Sequence, residues 1–277
     1  MTPSLCGELR RRNFAGREVS LAEGALVIAG ATLVTARGGR ATDALAVAGI
    51  GILGLADDLL EPRLRRAGRP VSKGLRGHLG ALRTGHLTTG AAKALGIPLV
   101  ALGAAVAAPS PRGGAIVVAD AALIAGCANL ANLLDLRPGR ALKAVLPAAA
   151  LLSLGSPQDQ RGSSGRHLAL AAAVPGLLAL PADLREHGML GDAGANVLGA
   201  AVGGAATRRL PLPARLTLLG AVVALNLASE RVSFSAVIER TAALRALDRL
   251  GRRPARAPAA GSDEPHAAPG TDPEAPR

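Results

Sequence analysis

Apolar residues in this chain come in long runs, and polar residues, most of them basic, fill the gaps between runs. The runs cover 20–36, 41–56, 89–108, 114–134, 141–154, 167–180, 189–206 and 214–228. Their length and the near-absence of charge inside them predict membrane-spanning helices. The expected fold class is therefore all-α, a polytopic membrane helical bundle of about eight transmembrane helices. Residues 1–19 form a polar, basic N-terminal segment and 20–228 the bundle. Residues 229–251 show heptad-like apolar spacing (Val232, Val237, Ile238, Leu244, Leu247, Leu250) and predict an amphipathic helix along the membrane surface. The remainder, 252–277, is rich in Pro and Ala and reads as a disordered tail. The Gly/Ser/Gln stretch 155–166 reads as a flexible loop.

Charge gives the predicted bundle a direction. The loops that fall on one side carry Arg37, Arg40, Arg112, Arg161, Arg166, Arg208, Arg209 and Arg215, and most other basic residues fall on the opposite side. Under the positive-inside rule this predicts a multi-pass protein of the cell membrane with N-terminus, C-terminus and polar motifs at the cytoplasmic face. The net charge of +12 lies between apolar runs. That excludes nucleic acid as the natural partner and points to anionic lipid and anionic substrates. Hydrophobic residues make up 49%, yet there are only 2 Phe and no Trp or Tyr, so the usual interfacial aromatic belt is missing. Two cysteines make neither a disulfide framework nor a metal cluster.

Three polar stretches carry the candidate chemistry. Asp57-Asp58 closes the second run. Adjacent acids at the mouth of a membrane helix are costly to place and favour a nearby cation or a shared proton, though they also suit a plain helix end in headgroup water. Asn129, Asn132 and Asp135 recur at three-residue spacing. One helix face bearing them would hydrogen-bond a polar ligand or, equally, a neighbouring helix. Gly191-Asp192-Ala193-Gly194 opens the seventh run. Glycines at a helix start let backbone N–H groups approach a phosphate, and Asp192 suits a phosphate carrying Mg²⁺; an ordinary helix cap is the alternative. Asp120 sits deeper in its run and calls for a basic partner that the sequence does not name. The pattern Gly49-x-Gly51-x-x-Gly54 is not a dinucleotide site, because no strand precedes it; its small residues favour close helix packing.

Taken in order, Gly54-Leu55-Ala56-Asp57-Asp58, Asn129-Leu130-Ala131-Asn132-Leu133-Leu134-Asp135 and Met189-Leu190-Gly191-Asp192-Ala193-Gly194-Ala195-Asn196 resemble the polyprenyl-phosphate N-acetylhexosamine-1-phosphate transferases. Asn13-Phe14-Ala15-Gly16-Arg17-Glu18-Val19-Ser20 is similar to a worn form of that family's first cytoplasmic motif. The resemblance implies a membrane transferase that moves a sugar 1-phosphate from a nucleotide diphosphate sugar to a polyprenyl phosphate for cell-envelope glycan synthesis. It implies Mg²⁺ as cofactor, Asp192 as metal ligand and catalytic residue, Asp57 as the catalytic group orienting or deprotonating the lipid phosphate, and Asp58 as a catalytic residue helping to organise the metal or basic residues. Asn129, Asn132, Asp135, Gly191 and Gly194 would bind substrate, with Lys73 as a phosphate contact in the inner loop. The implied partners are the lipid, the nucleotide sugar and the membrane, and the pattern allows a homodimer. Departures are specific. Pro138 stands where a second acid is usual, no basic residue closely follows the acid pair, no aromatic lies near Met189, and no histidine-rich loop is present. They leave a second reading, a catalytically degenerate relative that binds lipid phosphate or acts as a scaffold.

Overall fold

A computed structural model of the chain describes residues 9–14, 16–38, 40–66, 89–109 and 112–253. Among them are a two-stranded antiparallel ribbon, β1 (Arg10–Arg12) with β2 (Glu18–Ser20), and ten helices. The helices are α1 (Ala22–Arg37), α2 (Ala41–Arg66), α3 (Thr89–Val106), α4 (Gly114–Leu134), α5 (Arg140–Ser153), α6 (Gln160–Leu184), α7 (Gly191–Arg209), α8 (Leu212–Ser229), α9 (Phe234–Arg240) and α10 (Ala242–Arg249). Helices α1 to α8 occupy the eight apolar runs and alternate in direction. The starts of α1, α3, α5 and α7 therefore meet the ends of α2, α4, α6 and α8 at one end of the bundle.

Helix α7 is the axis. It packs against α1, α2, α4, α5 and α6 and is buried along nearly its whole length. Its interior is glycine, alanine and valine, with Leu198 the largest apolar side chain. Such a helix has little side chain to keep neighbours away, so backbones close in. A Cβ on Gly203 would lie 2.8 Å from the Ile124 Cα of α4, and one on Gly199, a turn earlier on the same face, would run into the Cys127 carbonyl oxygen. Gly194 faces Gly24 of α1 in the same way, at 3.2 Å. Gly54 of α2 rides over the first turn of α7, where a Cβ would sit 2.5 Å from the Asp192 carbonyl oxygen. Gly51 packs against Ile28 of α1, which gives the glycines of α2 their packing task.

Four helices among the described residues, α3, α4, α6 and α8, are long and apolar enough to cross a membrane. The count of about eight spans is not supported. Helices α1 and α5, with 16 and 14 residues, fall short of a membrane's thickness. Helix α2 is long but carries Asp43, Asp57, Asp58, Glu61 and Arg63, and α7 carries Asp192, Arg208 and Arg209. The outer surface bears Leu26, Leu45, Ile52, Leu99, Val118 and Leu178, all well exposed. The apolar helices and this surface are compatible with a membrane protein.

Three local expectations change. Part of 155–166 is helical, because Asp159 caps α6 by accepting the Gly162 N–H at 2.6 Å. The segment 229–251 is two short helices, broken where Thr241 takes an extended backbone, φ −95° and ψ 112°. It is held down by Asp248, which accepts from Arg140 of α5 at 2.7 Å and from Arg252 at 2.6 Å. The N-terminal segment is pinned too. Ser20 bridges to the segment 187–189, its N–H donating to the His187 carbonyl at 3.3 Å and its carbonyl accepting the Met189 N–H at 3.0 Å. The tail beyond residue 253 lies outside the described residues.

The packing of α7 generates a test. Gly199→Ala should destabilise the purified protein by about 1–3 kcal/mol, because the added methyl group meets α4 backbone that cannot step aside. Gly103→Ala, on α3 with open space around it, should be neutral or stabilising by up to about 1 kcal/mol. Thermal unfolding of both variants in detergent reads the contrast.

Candidate functional site

Asp57 and Asp58 are successive residues of α2, about 100° apart around the helix, so they reach different neighbours. Asp57 points to α3, where Lys93 Nζ lies 2.7 Å from its Oδ2. The same ammonium group also pairs with Asp192 Oδ2 at the start of α7. Lys93 thus bridges two carboxylates from two helices, and all three side chains are largely buried. Asp58 points to the start of α7 itself. Its carboxylate accepts the Asp192 N–H at 3.2 Å and the Ala193 N–H at 2.9 Å. Those are orphan donors of the first turn, and Leu190 at the N-cap has no side chain to satisfy them. Asp58 caps α7 from a neighbouring helix and complements its dipole. The place that the sequence suggested for a phosphate on this helix start is taken by a carboxylate. Arg11 of β1 donates to the Asp58 carbonyl, closing the ribbon over the end of α2.

Gly191 and Gly194 serve this junction rather than an open cradle. Gly191 has φ +62°, a conformation that favours glycine, and a Cβ there would lie 2.9 Å from Asp58 Oδ2. Gly194 is the contact with Gly24 and Leu190. The three polar residues of α4 separate. Three-residue spacing slides by about 60° per step around a helix, so Asn129 and Asp135 face different neighbours. Asn129 donates to Asn226 Oδ1 of α8 at 2.6 Å, the interhelical bond of the bland reading. Asn132 is half-buried, and its carbonyl accepts the Asp135 N–H at 3.1 Å. Asp135 lies near the start of α7, within electrostatic range of Asp183, Asp192 and Glu23. Burial first, and then those three acids, hold its carboxyl well above the usual carboxylate range. Lys73 lies outside the described residues, as do His78 and His86. His187 is exposed and contributes only its backbone.

Beside this junction is a cavity of about 340 Å³. Asp135 and Asp183 line its floor, Met189 and Gly188 one wall, and Arg12, Phe14 and Arg137 its rim. Asp183 is committed to the Gly139 N–H at 2.7 Å. Phe14 is the aromatic that the sequence near Met189 lacks. It arrives through the β1–β2 turn, which Glu186 pins by accepting from Asn13 at 2.5 Å and from Arg17 at 2.7 Å. The Arg137 guanidinium lies 4.1 Å from the Phe14 ring centroid and Arg252 5.4 Å from it. Lys93 is the other member that sequence reasoning passed over. A lysine inside an apolar run was itself the signal, since such a charge needs a partner.

No group of three metal-ligating side chains converges among the described residues. Mg²⁺ commonly uses only one or two carboxylates and takes its other ligands from water and substrate phosphates. Asp57 and Asp192 meet that requirement, since both reach one cation position, held by the Lys93 ammonium. Comparison of the chain with protein-family models, with curated proteins and with solved structures finds no match.

Two outcomes test the junction. Asp58→Ala should cost about 0.5–2 kcal/mol, the worth of a lost helix cap, while Asp58→Asn should retain most of it; thermal unfolding distinguishes them. The raised carboxyl of Asp135 means the folded state keeps its proton to higher pH than the unfolded chain. Its contribution to stability is therefore greatest in acid and declines as pH rises above about 4. Asp135→Asn should remove that decline, so its melting temperature should gain on the wild type as pH rises toward neutral.

Proposed function

We propose that this protein is an integral membrane phosphoglycosyl transferase that moves a sugar 1-phosphate from a nucleotide diphosphate sugar to a polyprenyl phosphate. The observation that carries the reading is the junction of Asp57, Asp58, Lys93 and Asp192, drawn from three helices beside a cavity with an aromatic rim. The ordered resemblance of the three motifs supports it. In this reading all of α1 to α8 lie in the membrane, with α3, α4, α6 and α8 shielding the less apolar helices, and the junction faces the cytoplasm.

The reaction joins two anions. An oxygen of the lipid phosphate attacks the phosphorus next to the sugar. The bond from that phosphorus to the bridging oxygen breaks, and the nucleoside monophosphate leaves with that oxygen. Repulsion between the reacting phosphates is the main obstacle. Lys93 supplies a positive charge, which Asp192 keeps in place when Asp57 is released. Asp57, freed from Lys93 as phosphate binds, accepts the proton of the lipid phosphate. Asp58 acts indirectly by fixing the start of α7 and with it Asp192. Mg²⁺, held by Asp192, would neutralise charge on the diphosphate. Phe14 and the Arg137 guanidinium stacked on it suit a nucleobase at the rim, and Asp135 suits sugar hydroxyls at the floor.

A second reading has a specific basis. Lys93 already occupies the position between Asp57 and Asp192, and Asp58 is spent on a helix cap. A protein so arranged would bind lipid phosphate without turning over a nucleotide sugar.

Purified protein, Mg²⁺, a short-chain polyprenyl phosphate and a panel of labelled nucleotide sugars separate the two. The transferase reading expects labelled lipid product with one of them. Asp192→Asn should then cut the rate by at least about 100-fold, and Phe14→Ala should raise KM for the nucleotide sugar about tenfold with little change in kcat. Undiminished transfer by Asp192→Asn would sink the role assigned to it. Absence of product with every sugar, with lipid phosphate still bound, would favour the binding protein.

A further inference from the structure

The opposite end of the bundle gathers arginine. There the starts of α2, α4, α6 and α8 surround the end of α7. Asp43 of α2 accepts both arms of the Arg208 guanidinium, at 2.5 and 2.6 Å, and lies 3.4 Å from Arg40. Ser164 donates to the same carboxylate at 3.0 Å. Asp120 of α4, whose partner the sequence did not name, accepts from Arg215 of α8 at 2.8 and 3.0 Å and pairs with Arg112. Arg161 of α6 donates to the Thr207 carbonyl at 2.5 Å, and Arg215 shares that carbonyl at 3.2 Å.

The charges do not balance. Two buried aspartates face Arg112, Arg208 and Arg215, whose side chains are 6%, 2% and 7% exposed, with Arg40 and Arg161 beside them. Asp159, the next acid near Arg161, is exposed and caps α6; with its charge counted, three acids still stand against five arginines. Donors are left over as well. Arg112 Nε and Nη2, Arg161 Nε, Arg208 Nε and Arg215 Nε are buried without an acceptor among the described residues. Burial and the neighbouring Arg161, Arg215 and Arg208 push the Arg112 pKa down to about 10, as expected of a cation short of counter-charge. The starts of four helices add positive dipole ends at the same level. Buried donors and buried positive charge both call for a compensating group. Guanidinium forks match the paired oxygens of a phosphate.

We propose that Arg112, Arg161, Arg208 and Arg215 form a binding site for a phosphate group at the end of the bundle away from the Asp57–Lys93–Asp192 junction. This site stands independently of what the junction does. Leu45, Val118 and Leu216, near the starts of α2, α4 and α8, are exposed apolar side chains at the same end of the bundle. A phosphate delivered there on acyl chains, the headgroup of an anionic phospholipid, fits that setting; free phosphate would satisfy the same donors.

The test uses the full chain purified in zwitterionic detergent. Its melting temperature is followed during titration with phosphatidylglycerol, with phosphatidylcholine and with inorganic phosphate. Phosphatidylglycerol should raise it in a saturable manner, and phosphatidylcholine should not. Arg112→Gln and Arg161→Gln should each weaken that response about tenfold, the loss of one charge-assisted contact. A rise with inorganic phosphate alone, lost in the same variants, would retain the site and assign its phosphate to solution. No response to any of the three, or an undiminished response in the variants, overturns the proposal. If Arg112→Gln does not fold, Arg161→Gln decides, since the one acceptor found for its side chain is a backbone carbonyl.

Discussion

The structure depends on how thin α7 is. A helix of glycine and alanine can be approached from every side, and five others take that approach. Close approach removes water from the helix ends, so each polar group there must find a partner in the protein. Asp58 on the first turn of α7, Asp183 on the Gly139 N–H and Arg208 on Asp43 are all answers to that demand. A bulkier α7 would hold α2 and α4 outward and leave these groups in separate environments. The small residues thus act on the site through distance, without touching a ligand.

The two ends of the bundle balance charge in opposite ways. At the junction, one lysine serves two acids from different helices, and further acids gather beneath it at Asp135, Asp183 and Glu23. At the far end, several arginines share two acids. Lys93 with Asp57 and Asp192, Arg208 with Asp43 and Arg215 with Asp120 are pairs that cross between helices, so removing one member leaves a buried charge uncompensated, which costs more than the pair contributes. Such pairs fix which helices meet and at what height more than they add to stability. The acids gather at the end whose loops are richer in basic residues and the arginine cluster at the other end, so the interior reverses the polarity read from the loops.

The positions of α1 to α8 were legible because apolar runs of that length have few other uses. The number of spans was less so: α2 and α7 bury themselves against other helices, and a helix facing protein can carry Asp57 or Asp192 where one facing lipid cannot. Of the site, the acids were readable as costly residues, but their division of labour was not. Whether Asp57 or Asp58 meets Lys93 depends on the rotation of α2, which an Ala/Gly/Leu sequence does not specify. Phe14 was out of reach for a different reason. It joins Met189 through pairing of Ser20 with 187–189, more than 160 residues away in the chain, and nothing local marks that pairing. Composition misled at 155–166, where one capping aspartate outweighs a flexible-looking stretch.

The cavity's electrostatics constrain how an anionic substrate would lie in it. The floor is acidic, with Asp135 and Asp183, and the rim is cationic, with Arg12 and Arg137 and with Arg252 stacked nearby. A bare diphosphate at the floor would face like charge in a partly desolvated site, an arrangement that raises energy rather than affinity. Neutral hydroxyls suit the floor, because the Asp135 carboxyl, held protonated more easily than usual, can both donate and accept. Phosphates belong toward the rim or toward Lys93, the only ammonium found among the described residues at this junction. Deprotonation of Asp135 would oppose any anion that approaches, which ties entry of a phosphate to the charge state of the cavity floor.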